Sequence, residues 1–278
     1  MAKYTQSNTV GSGINNLGDT SKKYSLSVDE MIAAKNRVLG SKGTYNKELE
    51  GVRNGDLNPV ASDMFKGALE QLAYINEATK KEYNIEKGAI DKEISGLGSG
   101  ESREWDISYK DVDGNSVQSK IGVEKDGNKN KFYFVDPDTG TKEYTSRKDF
   151  NERLNTSVRN RVKDEHGIGS ELYTLSASDG TKFVITDAKD DSKAQKDFKN
   201  GFKDINMYVV KPDGERTQMT KQDVSAMVQE NGITRSEVAR GITDNLDVEN
   251  IAKNVAKAVQ KLKQDIESNI GLTTSTRA

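Results

Sequence analysis

Apolar residues recur at helical spacing near both ends of this chain and at strand spacing in the block between them. From Asn58 onward, Ala61, Met64, Ala68, Leu72, Ile75 and Ala78 follow steps of three and four residues, and Tyr83, Ile90 and Ile94 carry the same face to Gly96. Asn58 suits the N-cap, and Pro59 suits the first helical position, where its missing N–H costs nothing. The spacing predicts a helix of about 36 residues, roughly 54 Å at 1.5 Å each, with Gly88 as its weak point. A helix of that length ordinarily packs along another long helix. Upstream, Ser27-Val-Asp-Glu30 reads as a capping box, with Leu26 and Met31 as its hydrophobic staple. It predicts a short helix to about Leu39, then a Gly-rich connection through Gly55. At the other end Asp247 suits the cap of a helix with apolar residues at Val248, Ile251, Val255, Val259, Leu262, Ile266 and Ile270. Their steps of 3, 4, 4, 3, 4 and 4 draw one narrow stripe, close to a coiled-coil seam, and this seam is the candidate interaction site.

The middle block reads as two copies of one unit. Phe132–Leu154 (FYFVDPDTGTKEYTSRKDFNERL) and Met207–Val228 (MYVVKPDGERTQMTKQDVSAMV) align with Pro137 on Pro212, Val135 on Val210 and Asp138 on Asp213. One gap then places Gly140 on Gly214, Ser146 on Thr220, Asp149 on Asp223 and Phe150 on Val224. In the first copy, apolar residues at Ile107, Tyr109 and Val112 lead to Asp113-Gly114; Val117, Ile121 and Val123 lead to Asp126-Gly127; a strand follows over 131–135. The second copy repeats this with 172–176, Asp179-Gly180, 182–186, an inserted segment at about 189–200 expected to be helical, and a strand over 206–210. Each copy then enters a helix, capped by Ser146 or Thr220 with Asp149 or Asp223 at N3. Gly167-Ile168 and Gly232-Ile233 fit the glycine and hydrophobic positions of a Schellman stop.

The expected fold class is α+β: two tandem related β-meander-plus-helix subdomains between long N- and C-terminal helices that pair as a coiled coil, within or between chains. The expected divisions are a disordered segment 1–24, a helical N-terminal arm 25–98, repeats at 102–168 and 170–235, a C-terminal helix 245–270 and a frayed tail 271–278.

Composition narrows the chemistry. Only 33% of the 278 residues are hydrophobic and 31% are charged, so an ordinary core over the whole length is not expected. Lys+Arg 42 against Asp+Glu 44 leaves almost no net charge, which argues against general electrostatic capture of nucleic acid or anionic membrane. The chain contains no cysteine, which removes disulfides, thiol nucleophiles and thiolate metal sites. A single histidine removes His-rich metal sites. No apolar run reaches the length of about 18 residues that reads as a membrane span, and the N-terminus lacks a signal-peptide pattern.

Each candidate for chemistry has a structural competitor. Asp111-Val-Asp113-Gly-Asn115 alternates oxygen ligands like a calcium loop, yet Ser116 and Gly122 stand where that loop needs Gly and Glu. Asp136 and Asp138 flank Pro137 and could pair as acid and base, but Lys211 replaces the first of them in the second copy. His166 sits before a helix-ending glycine, and its counterpart is Asn231; both suit a C-cap. Arg147, Lys148, Arg153, Arg159, Arg161 and Lys163 make 146–165 the most basic segment, interleaved with Asp149, Glu152, Asp164 and Glu165. Trp105, Phe132 and Tyr133 could stack on bases, or serve as core. Gly11-Ser-Gly13 and Gly96-Leu-Gly-Ser-Gly100 lack the context and lysine of a phosphate loop. No catalytic, cofactor or metal residue is assigned, and no cofactor is expected.

In organisation the chain resembles the substrates of type III and flagellar-type export, especially needle-tip and filament proteins. The resemblance rests on the Ser/Thr/Asn-rich start over 1–24, the absence of cysteine, the long helix 59–95 and the seam Val248–Ile270. A bacteriophage virion component shares most of these traits. It implies a non-enzymatic structural or interaction protein with protein partners or self-assembly, secreted without a cleaved signal peptide or carried in a virion, with a cytoplasmic location left open. Two alternatives stand beside it: a nucleic-acid-binding module using the basic helix 146–165, and a secreted effector enzyme acting through carboxylates.

Overall fold

Ser27 acts as the capping box predicts. Its Oγ accepts from the Glu30 amide at 3.2 Å and Glu30 Oε2 accepts from the Ser27 amide at 2.7 Å, opening helix α1 (Val28–Leu39). The structure is a computed structural model that describes residues 26–110, 115–190, 198–244 and 246. The expected disordered segment 1–24, the seam Val248, Ile251, Val255, Val259, Leu262, Ile266 and Ile270, and the tail 271–278 lie outside the described residues. So do Asp111–Gly114 and most of the inserted segment.

After α1 come a single turn α2 (Asn46–Leu49), a 3-10 turn (Glu50–Val52) and the long helix α3 (Pro59–Ser95). Asn58 caps α3 with its Oδ1 accepting from Val60 N at 2.8 Å. The expected stripe residues Ala61, Met64, Ala68, Leu72, Ile75, Ala78, Ile90 and Ile94 are all buried, and so are Phe65, Leu69, Ala73 and Tyr74. Burial on that many sides marks α3 as a core helix rather than a one-faced arm. The described chain divides into two compact units. One combines 26–44 with 69–172 and the other 45–68 with 173–246, so the residues grouped as the arm 25–98 contribute to both.

The fold class is α+β, with antiparallel sheets and helices. In the first unit, strands β1 (Ser102–Lys110), β2 (Ser116–Asp126), β3 (Lys129–Val135) and β4 (Lys142–Thr145) form an antiparallel meander in chain order, followed by helix α4 (Arg147–Glu165). One sheet face is apolar: Ile107, Ile121, Val123, Phe132 and Phe134 meet Phe150, Leu154, Val158 and Val162 of α4, with Leu26 and with Tyr74, Ala78, Ile90 and Ile94 of α3. Phe150 sits edge-on to both Phe132 and Trp105, at 5.2 and 6.0 Å between ring centres. Phe132 and Trp105 are thus core aromatics of this face.

Tyr133 points to the other sheet face and is fully buried there. Its cross-strand neighbour is Gly122, and its ring lies over the space a side chain would take. The hydroxyl donates to Glu104 Oε1 at 3.0 Å, and Lys142 Nζ stands 4.2 Å from the ring centre. Glycine weakens a strand, and an aromatic neighbour laid across it covers the exposed backbone.

In the second unit, β5 (Glu171–Ala177), β6 (Lys182–Asp187), β7 (Ile205–Val210) and β8 (Arg216–Gln218) adjoin in the same consecutive order before helix α5 (Lys221–Glu230). Helix α6 (Arg235–Arg240) and a two-residue strand β9 (Ile242–Thr243) follow, with β9 pairing parallel to β5 on its outer edge. β4, β8, α6 and β9 were not anticipated. The first two are three or four mostly exposed residues with no readable period. Helix α6 did carry a signal, the capping box of Thr234 and Glu237.

A turn glycine, an N-cap and a helix stop recur in both units, although the turns close differently: Gly140 N donates to Asp136 O and Gly214 N to Lys211 O. Gly140 and Gly214 adopt φ of 69° and 88° at the closing position of their turns. The Ser146 and Thr220 side chains accept from the N3 amides of Asp149 and Asp223. At the stops, Ile168 N donates to Lys163 O and Gly167 N to Asp164 O; Ile233 N donates to Val228 O and Gly232 N to Gln229 O. Both pairs are complete Schellman endings.

The Gly122–Tyr133 contact makes a prediction. A Cβ at Gly122 would lie within 2.6 Å of the Tyr133 hydroxyl oxygen and closer still to two ring atoms. Gly122→Ala should destabilise the first unit by about 1–3 kcal/mol, the usual cost of overpacking. Chemical denaturation of the double variant Gly122→Ala/Tyr133→Ala checks this: its loss should fall short of the summed single losses, and strict additivity would show that the ring does not fill the notch.

Candidate functional site

Helix α4 carries the chain's densest run of cations, and each described one has a place within the first unit. Arg147 pairs with Asp91 and stacks 4.9 Å from the Phe132 ring centre. Lys148 reaches Glu152 one turn on, at 3.7 Å. Arg153 lies 3.9 Å from the centre of the Phe134 ring. Arg159, itself buried, donates to Asn76 Oδ1 at 2.7 Å, and Lys163 is buried beside it on the helix. Most cations of the basic helix thus make contacts inside the first unit, while the Lys148 side chain stays 82% exposed.

Arg161 is the centre of a polar cluster between α3 and α4. Its guanidinium donates to Glu82 Oε2 at 3.2 Å and also to Glu86. Glu82 is only 2% exposed, while Arg161 keeps 38% of its side chain in contact with solvent. Burial pushes the Glu82 carboxyl up, and the Arg161 guanidinium opposes that shift without cancelling it. Burial also works against the Arg161 charge, but the Glu86 and Glu82 carboxylates outweigh it and hold that pKa up.

The same two helices place the chain's one histidine. His166 is the C-cap of α4, and its Nε2 lies 2.9 Å from the Tyr74 hydroxyl, with the rings edge to face at 5.0 Å. Burial, together with the Glu82 and Glu165 carboxylates, pushes the Tyr74 hydroxyl up to about 12. The counterpart Asn231 caps α5 by donating from Nδ2 to Met227 O at 2.8 Å. Both residues stand at a helix end; Asn231 caps its helix through its side chain, whereas the His166 side chain reaches across to α3.

The Asp136–Asp138 pair resolves into a turn. Asp136 Oδ1 accepts from the amides of Thr139 and Asp138 at 2.7 and 3.0 Å and from Thr139 Oγ1 at 2.9 Å. The Thr139 amide and hydroxyl hold this carboxyl below the usual range. In the second unit Asp213 takes over, accepting from Glu215 N at 2.9 Å. In the second unit, too, Tyr45 donates to Asp204; burial first, then that carboxylate, raises its pKa.

Tyr74, Asn76 and Glu82 escaped the sequence reading. Glu82 stands four residues after Ala78, on the buried side of α3, and Arg161 stands between Val158 and Val162. A charged residue at an apolar-stripe position of each helix was the available signal. Among the described residues, no group of three or more His, Asp or Glu side chains is placed to hold a metal ion. No described helix is long and apolar enough to cross a membrane. Comparison with protein-family models, with curated proteins and with solved structures gives no match.

Arg161→Met should strand the buried Glu82 carboxylate at a cost of about 3 kcal/mol, the low end of the range because the guanidinium is partly in water. Arg161→Met/Glu82→Leu should recover most of that loss in a denaturation midpoint; an unimproved double variant would show that the charge is not the cause. A pH profile supplies a separate check. With its folded pKa raised, Glu82 binds its proton more tightly folded than unfolded, so its contribution to stability falls as pH rises through the carboxylate range. The melting temperature of Glu82→Gln relative to the parent should therefore climb between about pH 4 and pH 8, and a flat or falling difference would contradict the assignment.

Proposed function

We propose that this chain is a non-enzymatic structural or interaction protein, an assembly component of the tip, filament or virion kind. In this reading two units that arose by duplication are displayed to partners, and residues 247–270 join the chain to protein partners or to further copies of itself. The observation that carries it is where the reactive groups go. The His166 imidazole, at the C-cap position of α4, bonds to the Tyr74 hydroxyl, and the Asp136 carboxylate closes a turn, so both of the best candidates for acid–base work make structural contacts. Turn, cap and stop recur in both units, while those candidates do not.

The apolar stripe Val248–Ile270 supports the association half of the reading, because seven such residues at steps of three and four need a hydrophobic partner. Export without a cleaved signal peptide, or carriage in a virion, is proposed from the Ser/Thr/Asn-rich composition of 1–24 and the architectural resemblance to export substrates.

Deleting 247–270 tests the reading. Mass in solution by light scattering should drop, or the melting transition should fall sharply, relative to the full chain. A truncated chain with the parent's mass and melting curve would remove the association role.

A further inference from the structure

We draw no further inference here: the strongest candidate, the exposed apolar pair Val28 and Ile32 one turn apart on α1, carries nothing because nothing in the structure shows what covers it.

Discussion

Scarcity of apolar side chains is the constraint that shapes this fold. With one residue in three hydrophobic, a four-stranded meander and a single helix cannot enclose a sufficient core. Helix α3 makes up the shortfall. It gives Ala61, Met64, Phe65 and Ala68 to one unit and Tyr74, Ala78, Ile90 and Ile94 to the other. Burying Tyr74, Ile90 and Ile94 contributes roughly 5–9 kcal/mol at 1.5–3 kcal/mol for each large side chain. A domain's whole stability is about 5–15 kcal/mol, so the first sheet depends on a helix that precedes it in the chain.

The same dependence explains the polar cluster. Once α3 lies against α4, any charged residue on the facing sides must find its partner there, because stranding it costs several kcal/mol. Glu82 with Arg161, Asn76 with Arg159 and Tyr74 with His166 satisfy that demand. These hydrogen bonds hold the two helices against each other.

Elements with a period or a dedicated residue were legible: α3 from its stripe, α1 from its capping box, and both Schellman stops from Gly-Ile after a helix. β4 and β8 were not, because strands this short rest on pairing with a neighbour rather than on a pattern of their own. The sharing of α3 was hidden for a different reason. A stripe shows that a helix face is buried, but not by which segments. The near-continuous apolar run around Leu69, Leu72, Ala73, Tyr74 and Ile75 hinted at burial on several sides. At the candidate site the roles of His166 and Asp136 were readable from their counterparts Asn231 and Lys211. The partner Tyr74 was not, since it lies 92 residues away in sequence.

The dependence on α3 can be measured directly by comparing two fragments in solution. A fragment of residues 102–168 contains the complete first meander and α4 but lacks α3, whereas 69–172 adds residues 69–95 of that helix and the link that follows it. If the first sheet depends on α3, the shorter fragment should show poor chemical-shift dispersion and no cooperative melting, with both restored in the longer one. Cooperative unfolding of 102–168 alone, at a midpoint equal to that of 69–172, would contradict it.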